Sequence, residues 1–292
     1  MKEKQFYDEN EQKRVNKLVD DMTLFDDDLM SHVFDKNIEA TELILRIILG
    51  EDIKVISVDG QDELKNPLVD GRNITLDVHA VDSHGKEMDI EVQSDAKGAS
   101  VERARFHSSM MDARMLKASQ DFKELKDSYV IFIYKKDKFN EGMPVYHIDR
   151  YIRETGKFFE DGAHIIYVNG SYKGEGEIVQ LMEDFHQKES EDMHYKALAD
   201  GVKHFKETEE GRETMCESVK EYAKEYADER DVIKVRKLME NLQLTLEQAL
   251  NALDIQGTSR TYIEKRLQKS LTQLKLRFVF GMGICQDMVG WR

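Results

Sequence analysis

Two short segments in which apolar and polar residues alternate constrain the fold of this chain more than any other feature. They cover Asn73 to Asp82 and Lys86 to Gln93, and the turn-forming sequence Asp82-Ser83-His84-Gly85 leads from one to the other. Alternation with a period of two is typical of β-strands that bury one face, and a polar link containing Gly indicates a turn. The sequence therefore predicts a β-hairpin.

The register of this hairpin follows from its apolar residues, because they must share one buried face. One register satisfies this condition, with three apolar pairs: Leu76 and Val92, Val78 and Ile90, and Ala80 and Met88. The same register places Asp77 opposite Glu91, with Cβ atoms roughly 4.5 to 5.5 Å apart, where like charges repel. It also places His79 opposite Asp89 on the side that faces water. We interpret that pair as a cross-strand ion pair, with a role in orienting His79 as the alternative.

The opposed carboxylates of Asp77 and Glu91 need a positive charge between them. A hard divalent cation such as Mg²⁺ meets this need, and such an ion activates water and holds a phosphate oxygen. The alternative is a solvated polar face, because amphipathic hairpins commonly expose acids on the side that faces water. Spacing alone leaves both interpretations open.

The order of Asp77, Glu91 and Gln93 resembles the PD-(D/E)xK nuclease signature, with Gln in the Lys position. The chain resembles the Rpn family of recombination-promoting nucleases, which are PD-(D/E)xK transposase-like proteins. The resemblance covers roughly residues 20 to 210. Besides the hairpin it rests on five further blocks: Met22 to Asp28, Ile38 to Leu49, Arg103 to Asp112, Tyr129 to Tyr134 and His164 to Gly170.

The resemblance implies that Asp77 and Glu91 are catalytic and ligate Mg²⁺, for which Mn²⁺ can substitute, and that Gln93 is the third catalytic residue. A Lys at this position orients the attacking water and stabilises it electrostatically, whereas Gln can hydrogen-bond the water but carries no charge. Nucleases of this type often place an acid from their first helix near the metal. Glu42 is therefore a candidate third ligand, with a solvated helix position as the alternative.

The net charge of −15 argues against a nucleic-acid enzyme, because phosphate contacts require Lys and Arg. Basic residues nevertheless gather between Lys97 and Lys117, and three of them are the candidate DNA contacts: Lys97, Arg103 and Arg105. A helix expected over residues 99–118 would place this charge beside the acids if it flanks the hairpin. The alternative is a solvated basic helix face.

The predicted fold is α/β, with a restriction-endonuclease-like core in which helices flank a mixed central sheet, and with a helical C-terminal extension. A dense apolar helix is expected up to Gly50, and strands are expected over Ile53 to Val58, the hairpin, Tyr129 to Tyr134 and Ile165 to Val168. Four regions are predicted: a charged leader over 1–20, the nuclease-like core over 21–188, the helical extension over 189–270, and a tail of unknown role over 271–292.

The extension combines many charges with sparse apolar positions, which is typical of long amphipathic helices that pack on a partner. It could therefore cap the core or form a homodimer. Within it, Thr245 can begin a short helix, and a break at Asp254 to Gly257 precedes a basic helix. This order fits a small helix-turn-helix, with an ordinary αα-hairpin as the alternative.

The sequence does not contain the local motifs of several other classes of enzyme. The chain has no phosphate-binding GxxxxGK[ST] loop, no GxGxxG after a strand, no GxSxG and no HExxH. Two distant cysteines, no signal peptide and no apolar run of about 18 residues predict a protein of the cytoplasm without a membrane partner. The expected function is a metal-dependent DNA endonuclease associated with recombination or mobile elements, with RNA left open as a substrate. The alternative is a catalytically inactive nuclease-fold module that binds DNA or protein.

Overall fold

A computed structural model of the chain describes residues 2–66, 68 and 71–267. They fall into two compact units, residues 1–218 and residues 219–292. The predicted region boundaries at residues 20, 188 and 270 stay predictions, and the predicted tail over 271–292 lies outside the described residues.

Unit 1–218 is built on a sheet of the strands β1 (Val55–Leu64), β2 (Ile74–Asp82), β3 (Glu87–Gln93), β4 (Ser128–Tyr134), β5 (Val145–Ile148) and β8 (Ala163–Asn169). Their order in the sheet is β1-β2-β3-β4-β8-β5. Strands β1, β2 and β3 are antiparallel, β3, β4 and β8 are parallel, and β5 runs antiparallel to β8. The predicted mixed α/β architecture is confirmed, and it is consistent with a restriction-endonuclease-like fold.

The helices of this unit include each one that the apolar patterns predicted. They are α1 (Lys2–Asp21), α2 (Asp27–Phe34), α3 (Ile38–Leu49), α4 (Val101–Met115), α5 (Glu177–His186), α6 (Lys196–Glu207) and the first part of α7 (Glu209–Leu242). Helix α3 ends at Gly50, whose φ of 74° is the left-handed cap that favours glycine. Single 3₁₀ turns lie at Phe122–Glu124 and Ser190–Asp192. A two-stranded sheet of β6 (Tyr151–Ile152) and β7 (Lys157–Phe158) was not predicted, and neither was β5.

The predicted hairpin register is confirmed over part of its length. Three pairs lie opposite each other in the structure: Val78 and Ile90, His79 and Asp89, and Ala80 and Met88. The paired positions extend no further toward Leu76, so the predicted pairing of Leu76 with Val92 is wrong. Leu76 instead belongs to a buried cluster that contains Met110 and Met111 of α4.

The reason is a change of face in the two neighbouring strands. Gly60 of β1 pairs with Val78 and packs against α2, whereas Asp62, two residues further, contacts Arg114 of α4. Gln61 lies between them with a φ of 55°, which breaks the regular alternation of side chains. The alternation of apolar and polar residues in the sequence continues across this irregularity, so it does not reveal the change of face.

Helix α2 approaches β1 closely at Gly60, where a Cβ atom would lie 2.6 Å from the carbonyl oxygen of Ser31. We expect Gly60→Ala to destabilise the protein by about 1 to 3 kcal/mol, because the backbone of α2 must move to relieve this overlap. Urea denaturation followed by circular dichroism measures the change. A loss below about 0.5 kcal/mol would mean that α2 shifts at little cost.

The described part of unit 219–292 consists of the end of α7, helix α8 (Leu246–Ala252) and a helical segment over 257–267. Thr245 caps α8 as predicted, since its Oγ1 accepts a hydrogen bond from Gln248 N at 3.2 Å. These helices share a small core that includes Val235, Leu250 and Ile263. The order helix, break, helix is confirmed, and a DNA-binding role for it stays a prediction.

Among the residues that the structure describes, no helix combines the length and hydrophobicity that crossing a membrane requires.

Candidate functional site

Three buried acids lie where helix α4 covers the hairpin of β2 and β3. Asp77 is 7% exposed, and Asp89 and Glu91 are fully buried. The prediction that this polar face of the hairpin meets water is therefore wrong. Arg103 contacts Glu91 and His107 contacts Asp89; the two residues are four apart on one face of α4.

Asp77 and Glu91 join the two strands beyond the last paired position. Asp77 N donates a hydrogen bond to Glu91 Oε1 at 3.2 Å, and Val92 N donates one to Asp77 Oδ2 at 3.1 Å. These side-chain acceptors satisfy amide groups that a strand ladder would otherwise pair. The two carboxyl groups are thereby held side by side at the end of the hairpin.

A chain of hydrogen bonds links the other charged groups. Arg103 Nη2 donates to Glu91 Oε2 at 2.6 Å, and Arg103 Nε donates to His107 Nε2 at 3.3 Å. A neutral His107 that accepts at Nε2 carries its proton on Nδ1, and it donates this proton to Asp89 Oδ2 at 2.8 Å. Asp89 Oδ1 is buried without a hydrogen-bond partner among the described residues.

Burial shifts the pKa of every acid in this cluster upward. The pKa of Asp77 is raised well above its ordinary value by desolvation and then by the charge of Glu91. Desolvation raises the pKa of Asp89 to about 8 and that of Glu91 to about 8, and a neighbouring acid adds to each shift. Desolvation lowers the pKa of His107, which favours its neutral form. Three carboxyl groups therefore face one permanent positive charge, that of Arg103.

An open cavity of about 770 Å³ lies beside the cluster and gives access to Asp77. Two predicted DNA contacts line it, Lys97 and Arg103, together with Arg72, which the sequence analysis did not single out. The third predicted contact, Arg105, is exposed and lies two residues from Arg103, about 200° around the helix. The structure therefore does not bring Arg105 to the cavity.

The structure does not bring Glu42 to the cluster either. Glu42 Oε1 accepts a hydrogen bond from Val55 N at 2.9 Å and lies 3.6 Å from Lys54 Nζ, beside a different surface depression. The acid that approaches Asp77 from an early helix is Asp27, in the first turn of α2. Asp27 lines the cavity, and its charge contributes to the raised pKa of Asp77. Asp27 belongs to the block Met22 to Asp28, on which the family resemblance partly rests. Its spacing in the sequence did not distinguish it from its neighbours Asp26 and Asp28.

His79 lies opposite Asp89 as predicted, but the predicted ion pair between them is wrong. His79 Nδ1 lies 3.0 Å from Asp62 Oδ2, and its Nε2 lies 3.2 Å from Glu87 Oε2. Asp89 is paired with His107. No sequence pattern pointed to His107, because only the crossing of α4 over the sheet brings it near the hairpin.

The match to known proteins covers the part of the chain that contains this site. Residues 35–173 match the model of a family described as PD-(D/E)XK nuclease family transposase. This segment, a little under half of the chain, is similar to that family. The resemblance drawn from the sequence is confirmed there, while the block Met22 to Asp28 precedes the matched residues. No curated protein and no solved structure was matched. PD-(D/E)XK nucleases use divalent metals, and three residues of this segment offer ligand atoms within 4.8 Å of one another: Asp89, Glu91 and His107.

Gln93, the residue in the Lys position of the nuclease signature, lies at the end of β3 with its side chain against Gly98. A Cβ atom on Gly98 would lie 1.6 Å from Gln93 Oε1, so Gly98→Ala must displace the flexible end of Gln93. Because Gly98 does not adopt a positive φ, we expect the free energy of unfolding to change by less than about 1 kcal/mol. If the Gln93 amide binds the attacking water, cleavage should slow roughly fivefold to tenfold, the effect of one neutral hydrogen bond.

The matched control for Gly98→Ala is Gln93→Ala, which removes the same amide directly. Both single variants should lose a similar factor in cleavage rate, and the double variant should lose no more than either. Additive losses would show that the two residues act separately.

Proposed function

We propose that this protein is a Mg²⁺-dependent endodeoxyribonuclease of the PD-(D/E)XK type, with Mn²⁺ able to replace Mg²⁺. The observation that carries this proposal is the buried cluster of Asp77, Asp89 and Glu91, three acids that face one permanent positive charge, that of Arg103. Asp89 Oδ1, which has no hydrogen-bond partner in the described part of the chain, and the raised pKa values of the acids fit a hard divalent cation, which would satisfy buried carboxylates at neutral pH. Asp77 and Glu91 would hold the cation.

A bound divalent cation supplies Lewis-acid stabilisation of the phosphoryl oxygens and makes water a nucleophile at neutral pH. Gln93 is assigned to the attacking water, which its amide can orient by a hydrogen bond. Lys97 is exposed on the cavity wall and is assigned to a DNA phosphate, together with Arg103. The cavity is open, which suits a polymeric substrate.

The family description supports a role in recombination or in mobile elements, and we extend it to this chain as part of the proposal. The cytoplasm as its location, and a homodimer formed through the C-terminal helices, belong to the proposal as well.

The experiment that tests the proposal is cleavage of supercoiled plasmid DNA at low salt, with Mg²⁺ or Mn²⁺ and with a chelator as the control. Low salt is needed because the chain has a net charge of −15 and few phosphate contacts. Nicked or linear plasmid that disappears with the chelator supports the proposal. A matched RNA substrate in the same assay separates a deoxyribonuclease from a ribonuclease. A folded protein that cleaves neither substrate with either metal contradicts the proposal.

The second candidate is a nuclease-fold module that binds DNA or protein without cutting. The observation in its favour is Gln93, which supplies no positive charge where the family signature has Lys. For such a module, binding of DNA or a protein partner should not depend on Asp77 or Glu91. Loss of binding in Asp77→Asn would argue against it.

A further inference from the structure

The guanidinium of Arg103 is bound to the same acid that the proposed cation needs. Arg103 Nη2 lies 2.6 Å from Glu91 Oε2, the shortest polar contact in the cluster, and Glu91 is fully buried. His107 fixes the other side of the guanidinium by accepting a hydrogen bond from Arg103 Nε. Asp89 in turn holds the His107 ring in the tautomer that leaves Nε2 free to accept.

Arg103 and a divalent cation compete for Glu91. Both need the lone pairs of its carboxylate oxygens, and positive charges a few ångströms apart in a poorly solvated site repel each other strongly. Both oxygens of Glu91 are already engaged, since Oε1 accepts from Asp77 N and Oε2 accepts from Arg103 Nη2. Binding of a cation at Glu91 therefore favours release of the guanidinium.

A released Arg103 has another ligand within reach. Its side chain is 36% exposed and lines the cavity beside Lys97 and Arg72. A guanidinium binds phosphate through two parallel hydrogen bonds, which makes Arg the preferred partner of a backbone phosphate.

We propose that Arg103 is an exchangeable counter-ion, bound to Glu91 when the site holds no cation and transferred to a DNA phosphate when a divalent cation binds. This inference rests on the proposed function, because it assumes the cation site at Glu91. Tight DNA binding then depends on the cation. Before a cation binds, Arg103 supplies the positive charge beside the buried Glu91.

The first test measures Mn²⁺ affinity of the metal-free full chain by titration calorimetry. Arg103→Gln removes the competing charge and should bind Mn²⁺ roughly tenfold more tightly than the wild type. Arg103→Lys keeps the charge and should stay close to the wild type, which separates charge from packing. The matched control is Arg114→Gln, since Arg114 lies on the same helix and pairs with Asp62 away from Glu91. It should leave Mn²⁺ affinity unchanged.

The second test measures binding of a fluorescent DNA duplex with and without Ca²⁺, chosen because a cation that supports little hydrolysis allows equilibrium binding. The wild type should gain about tenfold in DNA affinity when Ca²⁺ is added, and Arg103→Gln should gain clearly less. Lys97→Gln should lose affinity by a similar factor in both conditions, because Lys97 is exposed and has no exchange to make.

The outcomes separate this inference from the proposed function. Unchanged or weaker Mn²⁺ binding in Arg103→Gln, with binding that Glu91→Gln abolishes, overturns the exchange and leaves the cation site intact. Absence of any Mn²⁺ binding that depends on Glu91 overturns both. Tighter Mn²⁺ binding in Arg103→Gln together with the reduced Ca²⁺ effect on DNA supports the exchange. Circular dichroism establishes that each variant is folded.

Discussion

Asp77→Asn is expected to reduce plasmid cleavage by at least about a thousandfold while raising the melting temperature of the metal-free protein. The loss follows because a carboxylate that holds the cation contributes several kcal/mol to transition-state stabilisation. The gain in stability follows because Asn removes a charge that burial and Glu91 both disfavour. The Asn carbonyl can still accept the hydrogen bond from Val92 N, so the end of the hairpin keeps its geometry.

Cleavage rates and thermal melting curves on the same preparations check both halves of this prediction. Glu91→Gln should lose cleavage to a similar extent. Glu102→Gln is the matched control, because Glu102 is an exposed acid on the wall of the same cavity and contacts none of the buried acids in the cluster. It should cleave at the wild-type rate or faster. Retained cleavage in Asp77→Asn would remove Asp77 from the active site.

The metal-free protein should lose stability as the pH rises from about 4 to 8. The pKa of Asp89 is about 8 in the folded protein against an ordinary value of 3.8, so between these values the folded state holds a proton that the unfolded chain releases. The free energy of unfolding then falls with pH, by at most about 1.4 kcal/mol per pH unit for each such group. Glu91, with a pKa of about 8, acts in the same direction.

Asp89→Asn isolates the share of this effect that belongs to Asp89. The variant can keep the acceptor for His107 and has no acid to titrate, so its melting temperature should match the wild type near or below pH 3.8 and exceed it increasingly toward pH 8. Calorimetric melting curves at several pH values measure the difference. Saturating Mn²⁺ should stabilise the wild type more at pH 8 than at pH 5, because protons no longer compete with the cation. A difference between variant and wild type that does not change with pH would contradict the assignment.

Local patterns were sufficient for the secondary structure that carries the site. The hairpin, its register from Val78 to Ala80, and the caps at Gly50 and Thr245 each depend on residues close together in the sequence. Alternation, turn chemistry and capping act over this short range, so the sequence contains their full signal. The order of Asp77, Glu91 and Gln93 likewise indicated the family that residues 35–173 match.

The alternation of residues along β2 did not reveal that its buried side chains change from one face of the sheet to the other between Leu76 and Val78. The apolar residues Leu76 and Val78 have the same parity, and the sequence analysis assigned both to one buried surface. The structure places Leu76 among side chains of α4, and the positive φ of Gln61 on the neighbouring strand accompanies this change. A backbone irregularity on one strand that alters its neighbour is a tertiary effect.

Patterns within single segments were enough to predict the hairpin, the helices and strands around it, and the acids at its end. Tertiary packing buries the polar face, places Arg103 and His107 in hydrogen bonds with its acids, and brings Asp27 rather than Glu42 near Asp77. The physical reason is that these contacts depend on where α2 and α4 cross the sheet. Helix crossing is set by the packing of many side chains at once, and no spacing within a single segment encodes it.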